Sequence, residues 1–287
     1  MVADDRGDRC DVTIALLTRN AGQLFDRVLQ AIAGQNTDRC VEILAVDSGS
    51  SDGTLERLEA SGARIVSIPE EDFDFGRTRD LAYQHARGEV VVNLSQDAVP
   101  LHSDWLENLI APLADGEVGV SCGRSIPDPE RDVPQFPWER NGYFYFTQEY
   151  RRFVERYGRG VSFSNSAVPR AVWERLRIEP QVLGEDFQFQ MKVHGAGLGM
   201  AFPADAHVLH HHNYDLRTLY RRCRDEGAAI RMMGSPYTGR DLVRDLLSPQ
   251  KYVQWLREMR RGRLRSGAAL TFPVVRPLAV YAGSRFH

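Results

Sequence analysis

Apolar residues in the first hundred positions fall into two alternating rhythms. Short β-rich runs, Val12 to Leu17, Val41 to Val46, Ala63 to Ile68 and Glu89 to Leu94, are separated by stretches in which apolar positions recur at helical spacing. That spacing is clearest at Leu24, Phe25, Val28, Leu29 and Ile32, and weaker at Leu81, Ala82 and His85. Strands alternating with helices predict βαβ units, and so an α/β fold with a mainly parallel sheet flanked by helices. Such a sheet takes its ligands in the crevice beyond the carboxyl ends of its strands. The loops that matter are therefore Thr18-Arg19-Asn20, Asp47 to Thr54, Pro69 to Gly76 and Ser95-Gln96-Asp97-Ala98, and three of these four contain an aspartate.

After Pro100 the alternation weakens. Ser103 or Asp104 is placed to cap a helix running through Leu113, and Glu117 to Cys122 reads as a strand. Pro127 to Pro137 holds four prolines and is irregular. The aromatic stretch Trp138 to Tyr157 reads equally as a helix lining a cleft or as core packing. A second compact region begins near Val161, with a helix from Glu185 to His194, a strand-like Met200 to His210 and a helix from Leu216 onward. In the tail, Lys251, Arg257, Arg260, Arg261, Arg263 and Arg265 cluster among Tyr252, Trp255, Leu256, Met259 and Leu264. This basic amphipathic helix suits an anionic membrane surface, and equally a solvated face docked on the domain.

Composition narrows the class. With 287 residues, 43% hydrophobic and 26% charged, the chain can bury a full core, and disordered or low-complexity classes are excluded. The net charge of −3, from 36 basic and 39 acidic residues, gives no global basis for nucleic-acid binding. No apolar stretch approaches the roughly 18 residues that span a bilayer, and Met1 to Asp11 is charged where a signal peptide is apolar. The expectation is a cytoplasmic protein. Cys10, Cys40, Cys122 and Cys223 form no CxxC pair, so they are expected to be thiols, mostly buried.

Four features carry candidate chemistry. Asp97 follows the apolar run Val90 to Leu94, where a carboxylate stands at the mouth of the crevice as a ligand for a divalent ion on a diphosphate, or simply starts a turn. Glu185-Asp186 opens a helix, which favours carboxylates electrostatically and also offers a general base for a substrate hydroxyl. His210-His211-His212-Asn213-Tyr214 invites a metal reading, although adjacent side chains point to different faces, so one or two histidines at most share an ion. Asp47 to Thr54 is a phosphate cradle or a turn before a helix. The chain has no GxxxxGK[ST], GxGxxG or GxSxG motif, which removes P-loop, Rossmann dinucleotide and α/β-hydrolase readings.

In this order, the elements resemble the inverting, nucleotide-sugar-dependent glycosyltransferases of family 2, over about Asp11 to Gly227. Val12 to Asn20 looks like the family's first strand with its TxN end, and Val46 to Thr54 is similar to its VDDGSxDGT signature. Phe75-Gly76-Arg77-Thr78-Arg79-Asp80 resembles the GxARN helix start. Ser95-Gln96-Asp97-Ala98 stands where the family has its DxD metal motif, and Gly184-Glu185-Asp186 where it has the ED catalytic pair. Phe73-Asp74-Phe75-Gly76, the Gln96-Asp97-Ala98 variant and the His-His-Asn-Tyr run resemble a rhamnosyltransferase branch that builds surface polysaccharides. Two departures are Ser95, which replaces the first carboxylate of the metal motif, and Asp80, which replaces an asparagine.

The resemblance implies a GT-A fold, a Rossmann-like nucleotide-diphospho-sugar transferase domain over 1–235, with a nucleotide-binding half at 11–100 and an acceptor half at 101–235. A basic helical extension over 236–287 follows. It implies transfer of a sugar, rhamnose from dTDP-rhamnose in the narrower reading, to a hydroxyl of a glycan, lipid-linked or small-molecule acceptor. Asp186 would be the general base with Glu185 beside it. Thr18, Asn20, Asp47, Arg79 and Gln96 would hold the nucleotide-sugar, with Arg79 near its phosphates. Asp97, with His210 or His212, would bind Mg²⁺ or Mn²⁺. The basic helix would allow peripheral contact with the inner face of the plasma membrane. The alternatives are a nucleotide-sugar or glycan-binding homologue without activity, and a sugar-phosphate nucleotidyltransferase. The second lacks support in Leu16 to Gly22, which has a single glycine.

Overall fold

A computed structural model describes residues 10–131, 136–140, 147–181 and 183–286. Among these, the chain divides into two compact units, the first formed by 10–126, 161–181 and 185–210, the second by 127–160, 183–184 and 211–286.

The first unit is built on β1 (Cys10–Thr18), β2 (Val41–Asp47), β3 (Arg64–Ser67) and β4 (Gly88–Ser95). The apolar runs of β1 and β4 and the second half of β2 are buried, as a helix-covered parallel sheet requires, while the edge strand β3 is half-buried. Connecting them are α1 (Leu24–Ala33), α2 (Thr54–Ala60) and α3 (Phe75–His85). Then come β5 (Val99–Pro100), α4 (Trp105–Ile110), β6 (Val118–Cys122) and β7 (Arg124–Ile126). The expected helix to Leu113 ends earlier, at Ile110, and continues as a 3₁₀ turn over Ala111–Ala114, since Pro112 cannot donate to an α-helical ladder.

After α5 (Pro137–Arg140) and α6 (Gln148–Tyr157) of the second unit, the chain returns to the first through β8 (Asn165–Pro169), α7 (Arg170–Leu176), α8 (Glu185–Gly195), β9 (Gly199–Ala201) and β10 (His207–Leu209). The main sheet has seven strands among the described residues, in the order β3-β2-β1-β4-β8-β6-β9, and β8 alone runs antiparallel to its neighbours. A smaller sheet has the order β5-β10-β7. The single run expected over Met200 to His210 is thus two strands in two sheets, broken by the turn at Pro203 to Asp205.

The second unit is completed by α9 (Leu216–Met232), α10 (Gly239–Leu246), α11 (Pro249–Arg260) and α12 (Gly267–Phe286), around Trp138, Leu219, Cys223, Tyr237, Phe272 and Val280. Helices α9 and α12 cross closely: a Cβ on Gly227 would sit 2.1 Å from the Val280 carbonyl oxygen. The central part of the aromatic stretch, 141–146, lies outside the described residues, as do 132–135 of the proline-rich segment. In α11, Lys251 and Glu258 are buried, and Glu258 accepts from Arg261 and Arg263. No helix among the described residues is long and apolar enough to cross a membrane.

Candidate active site

The carboxyl ends of β1, β2 and β4 meet as the parallel pattern predicts, and hydrogen bonds stitch their loops into one surface. Thr18 and Asp47 are register partners at the ends of β1 and β2, both buried, and the Thr18 hydroxyl donates to Asp47 Oδ2 at 2.8 Å. Ser50 Oγ donates to the same oxygen at 2.6 Å, while the N–H groups of Gly49 and Ser50 donate to Oδ1 at 3.0 and 2.9 Å. Asp47 therefore organises its own loop, in the way an aspartate beginning a turn does.

Asn20 adopts a left-handed φ of 44°, which asparagine tolerates better than most residues. Its Oδ1 accepts from the Ser51 N–H at 2.8 Å, and its own N–H donates to Ser50 Oγ at 2.8 Å. Gln96 ties the third loop in, accepting from the Arg19 N–H at 2.9 Å and donating to the Arg19 carbonyl at 3.2 Å. The first three nucleotide-binding candidates and Gln96 thus belong to one hydrogen-bonded set of loops.

Arg79 is elsewhere. It lies on α3, buried at 6% exposure, with Nε 3.3 Å from Glu185 Oε1 and Nη1 3.3 Å from Asn93 Oδ1. Its guanidinium stands 5.1 Å from the centroid of Phe163. Asn93, the lone polar side chain of the buried stretch Val91 to Leu94, also donates to Tyr83 Oη at 2.8 Å and Ser166 Oγ at 3.2 Å.

Glu185 and Asp186 begin α8 after Gly184, whose φ of 87° lets the chain turn sharply into the helix. Burial and the adjacent Glu185 charge push the Asp186 carboxyl up to about 7, against the lowering influence of the Phe187 and Phe163 N–H groups and of Arg79. The Phe187 N–H lies 2.8 Å from Asp186 Oδ1.

Asp97 lies in the turn between β4 and β5, and His210 directly follows β10. Asp97 Oδ1 and His210 Nε2 are 3.2 Å apart, so a carboxylate oxygen and an imidazole nitrogen converge on one point. His212 lies in the second unit, its ring 6.0 Å from that of Tyr214. Chain connectivity alone keeps its Cα within about 7 Å of that of His210.

Sequence reasoning missed two sets of residues. Asp80, a departure from the family pattern, is a buried structural hub: it accepts from Trp173 Nε1 at 2.7 Å, Arg177 Nε at 3.1 Å and the Ile178 N–H at 3.2 Å, and fastens α3 to α7. Asn93 and Phe163 were also overlooked. A single amide in an apolar strand is a usable signal, because buried polar groups need partners, whereas nothing in the sequence marks Phe163.

Residues 13–176 match the sequence profile described as glycosyl transferase family 2. The chain is 32% identical over 240 residues to the O-antigen chain rhamnosyltransferase RfbN of Salmonella typhimurium, covering 80% of this chain and 75% of that protein. It is 29% identical over 225 residues to the O-antigen chain rhamnosyltransferase WbaN of Salmonella anatum, covering 75% and 70%. Among solved structures, the mannosyltransferase PcManGT of Pyrobaculum calidifontis, in complex with GDP-Man and Mn²⁺, superposes with a TM-score of 0.62 at 19% identity over 96% of this chain and 86% of that one. Glucosyl-3-phosphoglycerate synthase of Mycobacterium tuberculosis, in complex with Mn²⁺, UDP and glucosyl-3-phosphoglycerate, gives a TM-score of 0.60 at 20% identity over 78% of each chain. The chain belongs to glycosyltransferase family 2, and its fold is GT-A. It is a nucleotide-sugar-dependent glycosyltransferase related to the O-antigen rhamnosyltransferases, which sets the nucleotidyltransferase alternative aside.

Proposed function

We propose that this chain transfers a sugar with inversion from a nucleoside-diphosphate donor to a hydroxyl of a growing surface polysaccharide, with Asp186 as the general base. The observation that carries this reading is the Asp186 carboxyl, held near 7 at the head of α8, where a base is neither fully protonated nor too weak at neutral pH. In-line displacement requires the acceptor hydroxyl to attack opposite the departing diphosphate. Asp186 takes the proton that the attacking oxygen loses. The stitched loops of β1, β2 and β4 supply the nucleoside rim, with Asn20 and Gln96 lining it and the buried Thr18–Asp47 pair fixing its shape. The relatives RfbN and WbaN favour rhamnose, and with it a dTDP-linked donor, as the particular substrate.

The converging Asp97 oxygen and His210 nitrogen fit a divalent cation, with His212 the third candidate ligand on the same short segment. A donor set with an imidazole favours Mn²⁺ over Mg²⁺, which prefers oxygen alone, and Mn²⁺ is the ion in the PcManGT and glucosyl-3-phosphoglycerate synthase complexes. When bound, such an ion neutralises the charge that develops on the leaving diphosphate. Contact of the second unit with anionic lipid is part of the proposal; it is supported by Val253, Leu256 and Met259, exposed on α11 together with Arg257 and Arg260.

The direct test is sugar transfer from dTDP-rhamnose by wild type and Asp186→Asn. The variant is expected to lose about 10²- to 10⁴-fold in turnover while donor affinity stays within a factor of about two. Wild-type turnover in the variant would refute the base assignment.

A further inference from the structure

We propose that Arg79 is a positioning residue of the carboxylate pair, holding Glu185 aside so that Asp186 acts as the base alone, and that it is not a ligand of the donor phosphates. This rests on the reading of Asp186 as the base. Three observations support it independently. First, the Arg79–Glu185 pair is buried, with both side chains 7% exposed, and the polar contacts of the guanidinium run to Glu185 and Asn93. Second, the guanidinium is fixed from the sheet by Asn93, itself bonded to Ser166 on the antiparallel strand β8. Third, its face lies on Phe163, whose ring meets Phe189 one turn further along α8, at 5.8 Å. Glu185, Asn93 and Phe163 together fix the plane and the direction of the guanidinium.

Two carboxyl groups side by side repel, and the proton settles on whichever is less well compensated. Arg79 compensates Glu185. The groups acting on Asp186 are then Glu185 from its own helix, Arg79 from α3, and the N–H groups of Phe187 and Phe163. Removing the guanidinium takes away an attraction for the ionised Asp186 and leaves Glu185 uncompensated, so ionisation of the base moves to higher pH.

The test is the pH dependence of kcat and of donor KM in Arg79→Met, Arg79→Lys and Glu185→Gln. In Arg79→Met the acid limb of kcat should move up by about one pH unit, an approximately five-fold loss at pH 7, with donor KM within two-fold of wild type. Arg79→Lys, which keeps the charge, should leave the limb within about half a unit. Glu185→Gln should move the limb down, and this variant keeps the proposal falsifiable if Arg79→Met does not fold. A ten-fold rise in donor KM with an unmoved limb would return Arg79 to the phosphates and overturn the proposal. Wild-type turnover in Asp186→Asn would instead overturn the base reading beneath it.

A second, separate observation is a pair of thiols. Cys10 at the start of β1 and Cys40 just before β2 bring their Sγ atoms to 2.7 Å, with Cys40 exposed. This departs from the expectation of mostly buried cysteines, which Cys122 and Cys223 do meet. The pair is held by backbone: the Cys40 carbonyl accepts from the Asp11 and Val12 N–H groups, and the Cys40 N–H donates to Asp11 Oδ2 at 2.8 Å. The Cys40 contact and burial raise the Cys10 thiol to about 11, and Cys40 is the more exposed of the two, so an oxidant in solution meets Cys40 first.

We infer that the two close reversibly to a disulfide. With a peroxide as oxidant, the Cys40 thiolate takes one oxygen to give a sulfenic acid. Cys10 then displaces it as water, giving a net two thiols and one peroxide to one disulfide and two waters. Mild hydrogen peroxide on the folded chain, followed by alkylation and peptide mass mapping, should show a Cys10–Cys40 linkage, a loss of two hydrogens and reversal by dithiothreitol. Cys40→Ser should abolish it. Full alkylation of both residues after peroxide, or a linkage to other cysteines, would overturn the inference.

Discussion

Asp74 and Gln181 are joined by a hydrogen bond of 2.8 Å from the Gln181 N–H to Asp74 Oδ1, the same oxygen that caps α3 by accepting from the Arg77 N–H, also at 2.8 Å. One carboxylate thus starts the helix that carries Arg79 and pins the segment four residues before Glu185. Gly76 allows this closeness: its N–H donates to the Gln181 carbonyl at 3.0 Å, and a Cβ there would lie 2.0 Å from the Glu179 carbonyl oxygen. The Phe73-Asp74-Phe75-Gly76 motif is therefore a buckle between α3 and the approach to the carboxylate pair.

Opening that buckle should have separable effects. Asp74→Ala loses an N-cap, costing about 1 kcal/mol of stability, and frees the Gln181 segment, so turnover should fall by more than the lost stability explains. Chemical denaturation together with kcat distinguishes this from a capping role alone, in which kcat stays at the wild-type value. Gly76→Ala must displace the backbone at Glu179 and should yield little soluble protein.

The raised Asp186 carboxyl fixes the sign of two pH effects. As a base it works when ionised, so turnover should rise with pH through about 7 and fall away below it. Stability runs the opposite way. A carboxyl raised above its unfolded value, about 3.9, holds its proton more tightly in the folded chain, so its contribution is present at low pH and is lost as pH rises from about 4 to about 7. Asp186→Asn escapes that loss and should melt at a higher temperature than wild type at pH 8, with the difference vanishing near pH 4. Equal melting temperatures at both pH values would contradict the desolvated placement of Asp186.

Chelation addresses the metal reading. Excess EDTA, Asp97→Ala or His210→Ala should each reduce transfer at least ten-fold, and isothermal titration of Mn²⁺ should show weakened binding in both variants. Full activity in EDTA would leave the diphosphate to be neutralised by protein cations.

The nucleotide can be read from melting curves of the chain with UDP, GDP, dTDP or CDP, each with and without Mn²⁺, because a ligand that binds only the folded state raises its stability by mass action. The largest metal-dependent rise is expected with dTDP. A larger rise with UDP or GDP would keep the family and change the sugar.

The β-rich runs before Pro100 were legible because a parallel sheet buries both faces of its strands, and continuous apolar runs leave a clear trace; β1 to β4 lie where Val12, Val41, Ala63 and Glu89 begin those runs. The loops at their ends were legible for the same reason, since topology alone places Thr18 beside Asp47. What stayed hidden depends on distant partners. Arg79 reads as a basic residue near a ligand until its ion pair with Glu185, 106 positions away, is seen. The antiparallel β8 and the split between β9 and β10 were equally invisible, because three to five residues carry too few alternations to fix a direction or a register.

The small sheet has a consequence for how this enzyme can be tuned. The Asp97 turn runs from β4 in the large sheet straight into β5, whose Val99 and Pro100 pair with Leu209 and Val208 of β10, the strand that delivers His210. The spacing of a carboxylate and an imidazole, 113 positions apart in the chain, is thus set by a two-residue ladder. On the proposed metal reading, substitutions in β5, β7 or β10 that touch no substrate would act as a dial on cation affinity.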